Sequence, residues 1–244
     1  MTDLSGRGAL VILPTYNERT SLQSVVSRIH QTLPNADILV VDDGSADGTA
    51  EIADALAADV RVQVLHRSHK QGLGSAYRAG FRWAENRGYE VIVECDADGS
   101  HQPEQLPALL GALTDDVSLV IGTRWMPGGS VRNWPWYRRL ISRAGTGFAR
   151  VALRSRLRDM TSGMRAFRSS ALQRLNLDDV SADGYGFQVE MAWRLERQGE
   201  LVREVPIDFV ERTQGSSKMS VGIVFEALWL VTVWGWTLRF ARKP

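Results

Sequence analysis

Five short apolar runs, at residues 9–13, 38–41, 62–65, 91–95 and 119–121, alternate with helical patterns at 22–33, 49–58, 76–86 and 106–113. Runs this short and β-branched, apolar but for Gln63 and Glu94, read as strands buried on both faces. Such strands separated by helices imply an α/β fold: a mostly parallel central sheet with helices on both faces. The chain has 244 residues, 44% of them hydrophobic, enough to bury one sizeable core. The reading is one domain over residues 1–220 and a distinct C-terminal segment over 221–244. In open sheets of this class ligands gather outside the carboxyl ends of the strands.

The acidic motifs of the first half fall at those ends. Pro14-Thr15-Tyr16-Asn17-Glu18 follows one strand, Asp42-Asp43-Gly44-Ser45 a second and Asp96-Ala97-Asp98 a third. One such pair is as often a solvated turn as a site, because Asp is common there. Three together at strand ends favour a site. Hard carboxylate oxygens suit Mg²⁺ or Mn²⁺, which keep several waters and share substrate phosphate oxygens. Asp96 and Asp98 are therefore the expected metal ligands. A dinucleotide-binding dehydrogenase is disfavoured, since the first strand runs into Pro14 with no G-x-G-x-x-G turn. The lone Gly72-Leu73-Gly74 reads instead as a helix opening beside Lys70, where backbone amides and a lysine meet a phosphate. Cys95, the single cysteine, reads as a small core residue in a reducing compartment. No apolar h-region lies near Met1, so no secretory signal is expected.

The second half changes character. Residues 117–158 hold no Asp or Glu but nine arginines, interleaved with Trp125, Trp134, Trp136 and Tyr137. A solvated helix face normally mixes signs. This segment, with an expected helix over about 133–158, reads as a surface for phosphate and a membrane interface. Nucleic acid is the rival anion, but no nucleic-acid module is recognisable and net charge is only +1. Residues 221–240 are largely apolar and carry Trp229, Trp234 and Trp236. The uncharged part, 227–238, would be about 18 Å long as a helix, against about 30 Å for a bilayer core. It is expected to lie in the interface or pack on the domain.

Together these motifs resemble family 2 glycosyltransferases of the GT-A fold, and among them the polyprenyl-phosphate (dolichyl-phosphate) mannose synthases. Ile121-Gly122-Thr123-Arg124, Asn133-Trp134-Pro135-Trp136-Tyr137-Arg138, Thr161-Ser162-Gly163-Met164-Arg165, Gln188-Val189-Glu190 and Glu211-Arg212 with Lys218 extend the resemblance over nearly the whole chain. The resemblance implies metal-dependent, inverting transfer of mannose from GDP-mannose to a polyprenyl phosphate. It implies that Pro14, Tyr16, Glu18 and Asp42 or Asp43 hold the base and ribose, with Lys70 near the nucleotide. Asp96, Ala97 and Asp98 would hold metal and diphosphate, and Gln188 and Glu190 would face the sugar. Arg124, Arg138, Arg212 and Lys218 would receive the acceptor phosphate. Where similar enzymes often carry Gln, this chain has Ser100, a possible ligand, and His101 beside it is another possible ligand, though such a histidine is more often a loop hydrogen-bond partner. The expected setting is peripheral, on the cytoplasmic face of the membrane, with an anchoring partner protein possible. UDP-glucose as donor is one alternative and a non-catalytic lipid-phosphate-binding protein another. A response-regulator receiver is about half as long and has no use for the arginine-tryptophan segment.

Overall fold

The computed structural model describes residues 4–211 and 221–240. Strand and helix alternate through β1 (Ala9–Thr15), α1 (Leu22–Thr32), β2 (Asp37–Asp42), α2 (Thr49–Leu56), β3 (Val62–His66), α3 (Leu73–Glu85) and β4 (Val91–Glu94). They continue through α4 (Leu106–Ala112), β5 (Leu119–Thr123), β6 (Ser130–Arg132), α5 (Trp136–Leu153), β7 (Arg165–Arg168) and α6 (Ser169–Arg174). The described part closes with α7 (Gly184–Arg197), β8 (Val202–Pro206), β9 (Asp208–Val210) and α8 (Val221–Phe240).

Seven strands form the main sheet in the order β3-β2-β1-β4-β7-β5-β8. All pairs are parallel except those of β7, which runs antiparallel to both β4 and β5. Period-two alternation splits the strand side chains between two cores. Leu10 and Ile12 face Tyr77, Phe81, Phe167 and Phe187, whereas Val11 and Leu13 face Leu22, Val25 and Ile29 of α1. The chain moves outward from β1 to β3 and then returns to place β4 on the other side of β1. That reversal opens a crevice at the carboxyl ends of β1 and β4, the place where α/β sheets bind ligands.

All five expected strands are present, and α3 begins three residues before the expected start at 76. Four strands were not anticipated. β7 carries Arg165 and Arg168 around Ala166 and Phe167, and β8 is interrupted by charge and ends in Pro206. β6 and β9, three residues each, form a separate parallel pair.

The C-terminal segment has two faces. Val231 enters the core, Trp234 stacks on Trp193 of α7 with ring centroids 5.4 Å apart, and Gly235 lies where a Cβ would approach the Ala152 carbonyl of α5 at 3.0 Å. On the opposite face Trp229 is 68% and Trp236 61% exposed. Among the described residues no helix is long and apolar enough to cross a membrane.

Candidate active site

At the carboxyl ends of β1 and β4 lies a cavity of about 350 Å³, within the range of small-molecule sites. Pro14, Tyr16, Glu18, Asp43, Lys70, Asp96, Ala97, Asp98, Arg124, Arg138 and Gln188 all line it. Asp42 and Glu190 do not, and Arg212 and Lys218 fall outside the described residues.

The two adjacent aspartates after β2 divide the work. Asp42, 1% exposed, accepts from the Thr15 hydroxyl at 3.1 Å, the Ser45 hydroxyl at 2.6 Å and the Ser45 amide at 3.1 Å. It ties the end of β1 to the turn after β2. Asp43 points into the cleft, where Arg67 donates at 2.7 Å and the Gln71 amide at 3.2 Å. Burial raises the Asp43 carboxyl above its ordinary pKa, with these two donors opposing it. Opposite, the Lys70 ammonium sits 4.5 Å from the centroid of the Tyr16 ring. Gly72 caps α3 at φ +95, and Gly72 and Leu73 line the cavity beside Lys70. That matches the expected helix opening.

Asp96 and Asp98 leave β4 on a tight turn through Gly99, at φ +77, where the Asp98 Oδ1 accepts the Ser100 amide at 2.9 Å. Ser100 and His101 line the same cavity and are each 2% exposed. Among the described residues no cluster of three or more His, Cys, Asp or Glu side chains is set to hold a metal alone. Two carboxylates and a hydroxyl facing an open cleft still fit Mg²⁺ or Mn²⁺, which complete their shells with water and phosphate oxygens.

The arginines are already engaged with carboxylates. Arg124, 7% exposed, forks onto Asp159 with Nε–Oδ2 at 2.7 Å and Nη2–Oδ1 at 2.8 Å, and also reaches Thr161 at 3.0 Å. Burial alone would raise the Asp159 carboxyl, yet Arg124 holds it below its ordinary pKa. Arg138 donates to Glu211 at 2.6 Å and stacks 4.6 Å from the centroid of Trp134. Asp159 was not singled out from sequence, although it is the acid that ends the arginine-rich stretch.

Under the cleft Arg165, wholly buried, donates to the carbonyls of Met160, Ser162 and Gln188. Its Nε lies 3.9 Å from buried Glu94, and burial pushes that carboxyl up to about 7 and Arg165 down to about 10. Gln188, 1% exposed, lines the cavity and lies beside the buried Glu94 carboxyl, whose raised pKa it opposes. Glu190 corrects the expectation that it faces the sugar. It is wholly buried, accepts the amides of Ser181 and Ala182 at 3.2 and 3.0 Å, and pairs with Arg194 at 2.7 Å. Its role is to fix the loop before α7, which brings Asp183 and Gly184 to the cleft wall. Neither of these was expected there.

A second cavity of about 110 Å³ opens between α5, α7 and α8, walled by Ile141, Phe148, Val189, Leu228 and Val231. It shares Arg124, Trp134, Arg138 and Thr161 with the polar cleft. A charged cleft thus runs into an apolar trough past a gate of arginine and tryptophan.

A crevice of this kind, at the reversal of a mostly parallel sheet and carrying paired aspartates, fits the GT-A class of nucleotide-sugar transferases that the motifs resemble. Residues 10–175 match the model of Glycosyl transferase family 2, and the chain belongs to that family. The undecaprenyl-phosphate mannosyltransferase of Micrococcus luteus is 53% identical over 95% of each chain. The polyprenol monophosphomannose synthase of Mycolicibacterium smegmatis is 50% identical over 96% of this chain and 89% of its own. Among solved structures, glucosyl-3-phosphoglycerate synthase from Mycobacterium tuberculosis in complex with Mn²⁺, uridine-diphosphate and glucosyl-3-phosphoglycerate gives a TM-score of 0.68. That likeness covers 98% of this chain and 82% of that one at 21% identity, and it is one of fold.

Proposed function

We propose that this protein is a peripheral membrane enzyme of the cytoplasmic face that moves mannose from GDP-mannose to a polyprenyl phosphate. One observation carries the acceptor assignment: the polar cleft and the apolar trough meet at Arg124, Trp134, Arg138 and Thr161. A lipid phosphate has the matching two ends, an anion for the cleft and an apolar chain for the trough. The names of the two bacterial relatives specify mannose and a polyprenyl lipid.

The residues divide the chemistry as follows. Lys70, Tyr16 and Asp43 hold the nucleotide, and Asp96 and Asp98 hold a divalent cation with the donor diphosphate. Bound there, the cation neutralises charge on the leaving diphosphate. An acceptor phosphate monoester, with a second pKa of about 6, arrives largely as a dianion and needs little help from a general base. The burden on the site is electrostatic: two anions must approach one another. Arg138 offers a planar fork to the acceptor once Glu211 yields it, with Arg124 held rigid behind by Asp159. Gln188, which lines the cleft, is placed to bond sugar hydroxyls.

The test offers labelled GDP-mannose and labelled UDP-glucose with a polyprenyl phosphate and follows label into the organic phase. Mannose label should transfer, and Asp98→Asn or excess EDTA should lower the rate at least about 10²-fold. Transfer of glucose alone would overturn the donor assignment. Absence of any metal-dependent turnover would favour a non-catalytic lipid-phosphate binder.

A further inference from the structure

His101 lies five residues past Asp96, yet the turn folds it back. Its Nδ1 accepts the Asp96 backbone amide at 3.2 Å and lies 3.3 Å from the Asp96 Oδ2. A backbone N–H can only donate, so in this bond the ring nitrogen is the acceptor that holds the Asp96 peptide in place. The ring itself has little freedom. It is 2% exposed, meets Phe209 edge-on at 5.4 Å, and its backbone bridges to Phe209 of β9. On the other side Gly163 is close enough that a Cβ there would lie 3.4 Å from the His101 Cε1 and 3.5 Å from the Asp96 Oδ1.

We infer that His101 is a positioning residue for the metal-binding carboxylate: through Nδ1 it fixes the Asp96 peptide and so aims the Asp96 side chain. It acts through Asp96 and is not itself a ligand. The inference rests on Asp96 and Asp98 as the cation site, and its test separates the two.

The geometry names its own probes. Asparagine carries Oδ1 at the same bond distance from Cβ as histidine carries Nδ1, whereas glutamine carries its amide one bond further out. Mn²⁺ binding in the presence of GDP, read from the electron paramagnetic resonance of free Mn²⁺, is compared for wild type, His101→Asn, His101→Gln, His101→Ala and Asp98→Asn. His101→Gln and His101→Ala should weaken Mn²⁺ binding about 10-fold or more, while His101→Asn stays within about 3-fold of wild type. Metal-free GDP affinity should be unchanged in all. Wild-type Mn²⁺ affinity in His101→Gln, or equal losses in His101→Asn and His101→Ala, overturns the inference. Should His101→Ala fail to fold, the contrast of Asn with Gln decides. If Asp98→Asn also binds Mn²⁺ like wild type, the cation site itself is wrong, which is a separate and visible failure.

Discussion

At the scale of single residues, the two acceptor-side arginines should answer differently to mutation. Arg124 and Asp159 form a buried fork, and removing one partner strands a charge. Asp159→Ala should cost about 3–5 kcal/mol of stability, read as a fall in Tm together with loss of activity. Arg138 and Glu211 are more exposed, with side chains 16% and 22% accessible. Arg138→Lys should therefore leave Tm nearly unchanged. It should raise acceptor KM about 10-fold or more, because lysine lacks the two-pronged donor. A loss of GDP-mannose affinity instead would move Arg138 to the donor side. Glu94 supplies a pH signature. Its folded pKa, about 7, lies above its ordinary 4.5, so the folded state holds a proton that the unfolded chain has released. Its contribution to stability thus declines as pH rises from about 4.5 to about 7 and is flat above. Glu94→Gln removes that slope. The Tm of the variant relative to wild type should climb between pH 5 and pH 8, and a constant difference would show that Glu94 does not titrate there.

At the scale of elements, what was legible in the sequence follows a physical line. Strands β1, β2, β4 and β5 announce themselves because their apolar runs are buried on both faces, and β3 because Val62, Val64 and Leu65 cluster although Gln63 is exposed. β7 does not, since Arg165 occupies a core position and is satisfied by the carbonyls of Met160 and Ser162 just before the strand and of Gln188 in α7. The acidic motifs were readable because the fold places strand ends at the site. The separation of Asp42 from Asp43 was not, since it depends on which carboxylate the Thr15 and Ser45 hydroxyls capture. Glu190 misled for the same reason: its partners, the amides of 181 and 182, become visible only when α7 is placed. The loop those amides belong to is tightly seated. A Cβ on Gly74 of α3 would lie 2.8 Å from the Ala182 carbonyl and 2.9 Å from the Phe187 ring. Arg78 and Glu190 already hold Ala182 at its carbonyl and amide, so the loop cannot yield cheaply. Gly74→Ala should cost about 1–3 kcal/mol and, by displacing Asp183 and Gly184 from the cleft wall, raise donor KM. Unchanged donor KM would mean that this wall does not touch the nucleotide sugar.

At the scale of the whole molecule, the question is which surface meets the bilayer. α5 exposes Trp136, Leu140, Phe148 and Val151 together with Arg139, Arg143 and Arg150, Arg154 follows it exposed at its C-terminal end, and α8 beside it exposes Trp229 and Trp236. Tryptophan favours the headgroup level, and each arginine near an anionic surface adds about 1 kcal/mol of attraction. The apolar trough lies between these same helices. A bilayer held here would deliver a lipid phosphate to Arg138 without drawing its chain through water. Truncating α8 is a poor probe, since Val231 and Trp234 belong to the core and their loss would destabilise the domain. Surface substitutions are cleaner. The double variant Trp229→Ser/Trp236→Ser should keep its Tm within about 2 °C, because both side chains are largely solvated. It should lose most sedimentation with anionic liposomes and transfer to long-chain acceptors more than to short, soluble ones. Trp234→Ser should do the reverse, lowering Tm by several degrees through the lost stack on Trp193. If the double variant still sediments, α8 is not the anchor. Replacing Arg139, Arg143 and Arg150 of α5 with glutamine should then abolish a binding that salt already weakens.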